Sequence, residues 1–191
     1  MAMLQPTWGD IFEMPPATTA DDLLRLPDDG YRNELYKGKL VREMTSAGHG
    51  GVCHRLSVEL GIYARHANFL NAIVQNTLFD LTPPGMATRT VLAPDVAILH
   101  AGATQPWDTV PHEPPLLAVE VVSASQTLAE LVLKAQTYRQ ARFDEVWVVD
   151  HTSRGIEVWS AHGTTLLGET QMLTNPLLPG FSVAVRLLLD D

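Results

Sequence analysis

Apolar residues recur at helical spacing in two long segments of the 191-residue chain. One stripe contains Val52, Leu56, Leu60 and Tyr63, and the other contains Leu128, Leu131, Val132, Ala135 and Tyr138. A shorter helix is expected where Thr18 or Thr19 can cap the chain. The predicted helices extend from Thr18 or Thr19 to Leu26, from about Gly50 to His66, and from Ser125 to Arg142.

Short apolar and β-branched runs between these helices indicate strands. Lys37 and Gly38 separate the first two runs and predict a hairpin. The fifth run is apolar throughout except for one acid, as in a strand that is covered on both faces. The predicted strands are Tyr31–Tyr36, Lys39–Met44, Ala72–Leu81, Thr90–Leu99, Leu116–Val122, Glu145–Val149, Gly155–Ser160, Thr164–Gly168 and Phe181–Leu188.

This order of elements predicts a single domain over residues 18–191, preceded by an N-terminal arm over residues 1–17. Strands and helices do not alternate regularly, so the expected fold is a mixed β-sheet flanked by helices, α/β of the α+β kind. The length suits one domain. An apolar fraction of 46% with 18% charged residues is typical of a globular protein.

The chain carries 13 basic and 22 acidic side chains, which gives a formal net charge of −9. Proteins that bind nucleic acid through phosphate contacts usually show a basic stripe, so composition by itself argues against such a partner. No apolar run is long enough to span a bilayer, and residues 1–16 lack the pattern of a secretory signal. We therefore expect a cytoplasmic protein.

Several well-known catalytic motifs are absent from the sequence. It contains no G-x-S-x-G nucleophile elbow, no P-loop and no H-E-x-x-H zinc motif. The single cysteine, Cys53, excludes an internal disulfide and a multi-cysteine zinc site. His49 and His54 are five residues apart, a spacing that does not place them on one helix face.

Acidic residues stand inside apolar runs at two points of the chain. Asp95 interrupts the fourth predicted strand and Glu120 the fifth, while Glu34 on the first hairpin is a third candidate. A buried carboxylate is costly unless something compensates its charge. An ion pair with Arg32 or Arg89 is one explanation, and convergence of the acids on a metal cation is another. Hard oxygen ligands of this kind select Mg²⁺ or Mn²⁺ over zinc.

A lysine on the following helix can reach the same acids. Counted from a helix start near Ser125, Lys134 lies roughly 13 Å along the helix. Glu120 lies about 10 Å back from the end of its strand, so the two residues are nearly level. The Lys134 ammonium group therefore either contacts Glu120 or remains solvated at the rim of the helix face.

The segments that carry these residues resemble the Uma2 (Uma-two) family of restriction-endonuclease-like proteins, which is part of the PD-(D/E)XK nuclease superfamily. The first hairpin, Tyr31 to Val41, is similar to the family's opening pattern Y-E-L-x-x-G-x-L-V. The resemblance covers about residues 18–188. Further matching pieces follow in order: His49-Gly50, Ala93 to Ala97, Val119 to Ser125, and then Lys134, Tyr138 and Glu145 to Asp150, which resemble K-x-x-x-Y-x-x-x-G-x-x-E-Y-W-x-V-D.

The resemblance implies a metal-dependent endonuclease that hydrolyses phosphodiester bonds of DNA. It implies that Glu34, Asp95 and Glu120 are catalytic and bind Mg²⁺ (or Mn²⁺), which activates a water molecule. It also implies that Lys134 is catalytic and stabilises the charge that develops on phosphorus. His49 is a secondary candidate and so is Gln136. A homodimer is expected because cleavage of a duplex needs two sites.

The sequence departs from the family pattern at several positions, none of which removes an expected ligand. Ala124, Arg142 and Val146 replace a proline, a glycine and a tyrosine of the family. Val122 stands where the superfamily usually has its lysine, two residues after the glutamate. One alternative is therefore a catalytically degenerate nuclease fold that acts as a binding or regulatory module. Another is a structural protein with a carboxylate–arginine network.

Overall fold

The computed structural model describes residues 18–67, 73–103, 109–123 and 126–190. The expected N-terminal arm, residues 1–17, lies outside the described residues, and the single domain remains a prediction. The described helices are α1 (Ala20–Leu24), α2 (Ala47–His66), α3 (Leu128–Gln140) and α4 (Val185–Leu189). The described strands are β1 (Arg32–Tyr36), β2 (Lys39–Glu43), β3 (Ile73–Gln75), β4 (Phe79–Asp80), β5 (Val91–Leu92), β6 (Val96–Ile98), β7 (Leu117–Val121), β8 (Glu145–Asp150), β9 (Gly155–Ser160), β10 (Gly163–Gly168), β11 (Met172–Thr174) and β12 (Ser182–Ala184).

The described strands form a six-stranded sheet, a four-stranded sheet and a hairpin. The six-stranded sheet has the order β10-β9-β8-β7-β6-β3, and the four-stranded sheet has the order β2-β1-β5-β4. β7 and β8 pair in parallel because α3 connects them as a crossover. Since the neighbouring pairs of the six-stranded sheet are antiparallel, the sheet is mixed. The α+β class with helices against a mixed sheet is confirmed.

The central strand β7 is buried on both faces, as its composition predicts. Ala118 packs in the cluster that contains Leu131 and Tyr138 of α3, while Val119 packs in the cluster that contains Leu56 of α2. Because successive side chains of a strand point to opposite faces, Glu120 shares the α3 face with Ala118. None of the described helices is long and apolar enough to cross a membrane.

Two predicted strands are wrong in extent, because each splits between the two sheets. The segment Ala72–Leu81 yields β3 and β4, separated at Asn76, which has a left-handed φ of 48°. The segment Thr90–Leu99 yields β5 and β6, separated at Pro94, which lacks the N–H group needed for strand pairing. Asp95 therefore lies where the chain passes from one sheet into the other.

The prediction of a strand over Phe181–Leu188 is also wrong, because only β12 is extended and α4 follows it directly. A short apolar run does not distinguish a strand from a buried helix. Two helix starts also differ from the expected ones. Ser46 caps α2, and Thr127 caps α3 through a capping box with Glu130.

Candidate active site

The β1–β2 hairpin brings three charged side chains onto one face. Lys37 and Gly38 both have left-handed φ values, 50° and 78°, as a two-residue hairpin turn requires. This turn pairs Arg32 with Glu43 across the hairpin. Glu34 is two residues from Arg32 and therefore points to the same side. All three side chains contact residues of the six-stranded sheet or of α3.

Asp95 and Glu120 approach this face from the six-stranded sheet. The Val121 backbone N–H donates a hydrogen bond to Asp95 Oδ2 over 2.7 Å. The Tyr138 hydroxyl donates to Glu120 Oε1 over 2.6 Å. Both carboxylates are almost completely buried, with 1% and 0% of the residue exposed. We call Glu34, Glu43, Asp95 and Glu120 the acidic cluster.

Lys134 extends from α3 into the acidic cluster. Its Nζ lies 3.0 Å from Glu34 Oε2 and 3.2 Å from Glu120 Oε1. It also lies 3.3 Å from Glu43 Oε1. Of the two positions expected for this lysine, the structure therefore shows the buried contact with Glu120 and not the solvated rim.

Arg32 binds the cluster from the opposite side. Its guanidinium group pairs with Asp95 and with Glu43, and Nη2 lies 3.8 Å from Glu120 Oε2. Its Nε is buried and has no hydrogen-bond partner within the described part of the chain. The carboxylate–arginine pairing considered from the sequence is thus present for Arg32, whereas Arg89 pairs with an acid outside the cluster.

Burial raises the pKa values of two acids of the cluster, Glu34 and Glu120. Burial raises the pKa of Glu120 to about 8; Lys134 opposes this rise and Asp95 adds to it. Burial also raises the pKa of Glu34, against the effect of Lys134. Burial thus makes the charged form of Glu120 costly, and Lys134 offsets part of that cost.

The other two acids of the cluster, Asp95 and Glu43, have lowered pKa values. Although burial acts in the other direction, the hydrogen bond from His49 and the charge of Arg32 lower the pKa of Asp95 to about 2. Against burial, Lys134 and Arg32 hold the pKa of Glu43 below its usual value. The cluster thus combines carboxylates with lowered pKa values and carboxylates with raised pKa values.

The acidic cluster has more negative than positive groups. Its four carboxylates face two cationic side chains, Arg32 and Lys134, which leaves two negative charges when every acid is ionised. One dication would balance this excess and remove the need for protonation. Carboxylate oxygens are also the ligands that Mg²⁺ and Mn²⁺ prefer. Glu34, Asp95 and Glu120 supply oxygens of the type that a hard divalent cation prefers. Among the described residues their oxygens do not converge within 4.8 Å of one another, so a cation would have to exchange with the contacts to Arg32 and Lys134 and draw the carboxylates closer.

A cavity of about 310 Å³ opens onto the cluster. It is lined by Glu34, Glu43 and Lys134 from the cluster itself, and by Gln126 and Glu130 near the start of α3. Gln126 donates a hydrogen bond to Glu43 over 2.5 Å. The buried charges therefore have a route to solvent, which is also lined by a further basic side chain, Arg42.

The two secondary candidates lie in different places. His49 Nε2 lies 3.1 Å from Asp95 Oδ2, and Cys53 Sγ lies 3.6 Å from His49 Nδ1. One ligand atom from each of these three residues lies within 4.8 Å of the others. Gln136 is exposed on α3 and makes no contact with the acidic cluster among the described residues.

Sequence reasoning missed Glu43, and it placed Tyr138 in the buried stripe of α3 and in the family-like motif without giving its hydroxyl a role in the site. A detectable signal existed for Glu43, because a two-residue turn at Lys37 and Gly38 already sets it opposite Arg32. No local pattern distinguishes a buried tyrosine with a carboxylate partner from an ordinary core aromatic. From the sequence, Cys53 only excludes an internal disulfide and a multi-cysteine zinc site.

Comparison with known proteins agrees with the resemblance of the motifs. The profile of the Uma2 family, described as "putative restriction endonuclease", matches residues 20–186. A crystal structure of a "putative nuclease belonging to DUF820" from Anabaena variabilis is similar to this chain with a TM-score of 0.72 and 12% sequence identity. The match covers 88% of this chain and 96% of that one, and it shows a shared fold. No curated protein matches. Because the family profile spans most of the sequence, the chain belongs to the Uma2 family of restriction-endonuclease-like proteins.

Proposed function

We propose that this protein is a divalent-metal-dependent endonuclease that hydrolyses phosphodiester bonds of DNA. The family assignment supports a nuclease-type function. The observation that carries the finer proposal is the excess of buried carboxylates over cationic side chains, next to a cavity that reaches solvent. Ordinary structural ion pairs do not need such an excess, because unbalanced buried charge destabilises the fold.

Glu34, Asp95 and Glu120 are the proposed ligands of Mg²⁺ (or Mn²⁺). A bound cation of this kind supplies Lewis acidity to a phosphoryl oxygen and lowers the pKa of a coordinated water. The protein holds the ligands in place before the cation arrives. Ala93 N–H donates to Glu34 over 2.7 Å, and comparable bonds from Val121 and Tyr138 orient the other two.

Lys134 and Arg32 are the groups that would act on the phosphate. Lys134 and Arg32 already contact the carboxylates. A phosphate oxygen that replaced a carboxylate oxygen would therefore accept a hydrogen bond from a donor that is already oriented. The Lys134 ammonium group stabilises negative charge as it develops in the transition state. The planar Arg32 guanidinium group can bind two phosphate oxygens at once, and its buried Nε has no partner within the described part of the chain.

The acidic surface makes the cation necessary for binding as well as for chemistry. A net charge of −9 repels DNA, and Glu130 at the cavity adds to this effect. A dication at the cluster would cancel the local excess of negative charge where the phosphate must enter. The homodimer expected from the resemblance remains a prediction and would bring two such sites to one duplex.

A second candidate is a catalytically degenerate nuclease fold that serves as a binding or regulatory module. The observation that favours it is the occupation of the carboxylate oxygens by Arg32 and Lys134, together with Val122 at the usual lysine position. In that case the two cations replace the metal permanently. The two candidates differ in whether Mg²⁺ can enter the cluster.

A cleavage assay on supercoiled plasmid DNA with Mg²⁺ or Mn²⁺ tests the proposal. Glu120→Gln and Asp95→Asn should each reduce the rate at least about a hundredfold, the size typical of removing one group that stabilises the transition state. Glu113→Gln, at an exposed acid outside the cluster, should cleave at the wild-type rate. Equal cleavage by all variants would reject the site, and wild-type protein that binds Mg²⁺ without cleaving would favour the degenerate module.

A further inference from the structure

A second group of ligand atoms lies on the α2 side of Asp95. His49 and Cys53 are four residues apart on α2, so both side chains project from the same helix face. His49 Nε2 lies 3.1 Å from Asp95 Oδ2 and 3.9 Å from Cys53 Sγ. His49 and Asp95 are buried, and Cys53 is half-buried. Of these three residues only Asp95 belongs to the acidic cluster. His49 and Cys53 make no ion pair with Lys134 among the described residues.

These atoms lie close enough to meet at one zinc ion after Cys53 changes its side-chain rotamer. Ligand atoms bound to one Zn²⁺ at 2.0–2.3 Å lie about 3.3–3.6 Å from each other. The distance from His49 Nε2 to Asp95 Oδ2 is close to this range, whereas Cys53 Sγ lies 3.6 Å from Nδ1 and 3.9 Å from Nε2 and has to rotate toward Nε2. Three protein ligands would leave a fourth position for a water molecule.

The donor set distinguishes this group from the acidic cluster. A thiolate and an imidazole are ligands that zinc accepts readily, whereas Mg²⁺ requires oxygen. The nearby charges are those of Arg32, which pairs with Asp95, and of Glu43 and Glu120, which contact Arg32 from its other side. Arg32 opposes binding, and it remains paired with Asp95 Oδ1 while Oδ2 faces His49.

We propose that His49, Cys53 and Asp95 form a zinc-binding site that shares Asp95 with the Mg²⁺ site. On binding, the Sγ–H bond of Cys53 breaks, a zinc–sulfur bond forms, and the proton passes to solvent. Because one carboxylate then serves two cations, zinc competes with Mg²⁺ for Asp95. Zinc is therefore an inhibitor of DNA cleavage. This inhibition rests on the proposed function, but zinc binding does not.

Co²⁺ provides a direct probe of the site in the full-length protein. A thiolate bound to Co²⁺ gives a charge-transfer band in the near ultraviolet, which an all-oxygen site lacks. Cys53 is the only cysteine in the chain, so any such band identifies it as a ligand. We expect the band at one Co²⁺ per chain in wild-type protein, its loss on addition of Zn²⁺, and its absence from Cys53→Ser.

Glu34→Gln is the matched variant, because it removes a proposed Mg²⁺ ligand that lies outside the zinc group. It should retain the charge-transfer band. Folded wild-type protein without the band, or a band that persists in Cys53→Ser, would overturn the zinc site. If the protein shows the band but never cleaves DNA, the zinc site stands and the nuclease proposal is rejected. If the protein cleaves DNA without showing the band, the nuclease proposal stands and the zinc site is rejected.

The regulatory part of the proposal has its own readout. Zn²⁺ at ten times its dissociation constant should occupy about nine sites in ten and lower the wild-type cleavage rate about tenfold. The ratio of rates with and without zinc should stay close to one in Cys53→Ser, whatever the rate of that variant without zinc. Equal inhibition of both proteins would place the inhibitory zinc elsewhere.

Discussion

The acidic cluster shows how much of a buried site depends on individual side chains. Lys134 contacts Glu34, Glu43 and Glu120 and is itself buried. Against the effect of burial, Glu120 and Glu34 raise its pKa, so it keeps its charge. One ammonium group thus serves three carboxylates that would otherwise repel each other.

Removal of this charge should destabilise the protein strongly. We expect Lys134→Met to lower the free energy of unfolding by about 3–5 kcal/mol in the absence of divalent cations, because the partner charges stay buried without compensation. Urea denaturation followed by circular dichroism measures the change. Lys39→Met, at an exposed lysine of β2, is the control and should change the free energy of unfolding little. Equal midpoints for Lys134→Met and wild type would contradict this role of Lys134.

For single residues, the sequence predicts which side chains belong to the site better than it predicts which of them contact each other. Asp95 and Glu120 stand out because a carboxylate in an apolar run needs compensation, and Lys134 follows from helix geometry. Glu43 lies next to an exposed hairpin end, where an acid normally needs no explanation. The i, i+4 spacing of His49 and Cys53 is visible in the sequence, but nothing local shows that Asp95 completes their group.

At the scale of elements, α3 matters most because it carries both Lys134 and Tyr138. Its N-terminus is held by a capping box, in which Thr127 accepts a hydrogen bond from Glu130 N–H and Glu130 accepts one from Thr127 N–H. The start of this helix also borders the cavity through Gln126. The cap therefore supports the orientation of the site as well as the helix.

Loss of the cap should lower the free energy of unfolding. Thr127→Ala removes the hydroxyl that accepts from Glu130 N–H and should cost about 1 kcal/mol of unfolding free energy. Thr137→Ala, in the last turn of the same helix, removes a hydroxyl that donates to the Leu133 carbonyl of its own helix and should have almost no cost. Chemical denaturation of both variants gives the comparison, and an equal loss in both would show that capping is not the cause.

The elements that sequence patterns misjudge are those whose partners lie in another sheet. Periodicity identifies α2, α3 and β7 because each buries a stripe or a face against the nearby core. It does not show that Asn76 and Pro94 divide two apolar segments between sheets. That division depends on contacts far apart in the sequence, and it is what places Asp95 at the junction.

At the scale of the whole molecule, the net charge of −9 acquires a specific meaning. Composition alone argues against a nucleic-acid partner, whereas the family assignment supports a nuclease. The buried cluster reconciles these observations, because part of the acidic excess is concentrated where a dication would bind. A divalent cation bound at this proposed site would contribute to stability, to the local field and to the proposed chemistry.

Thermal melting during a Mg²⁺ titration shows whether a metal ion binds at the acidic cluster. A cation that binds only the folded protein should stabilise it by about 2.7 kcal/mol at a hundred times its dissociation constant, so the wild-type Tm should rise steadily with Mg²⁺. Glu113→Gln should show the same rise, and Asp95→Asn should show almost none. A wild-type Tm that does not respond to Mg²⁺, or an equal rise in Asp95→Asn, would contradict a metal site at the acidic cluster.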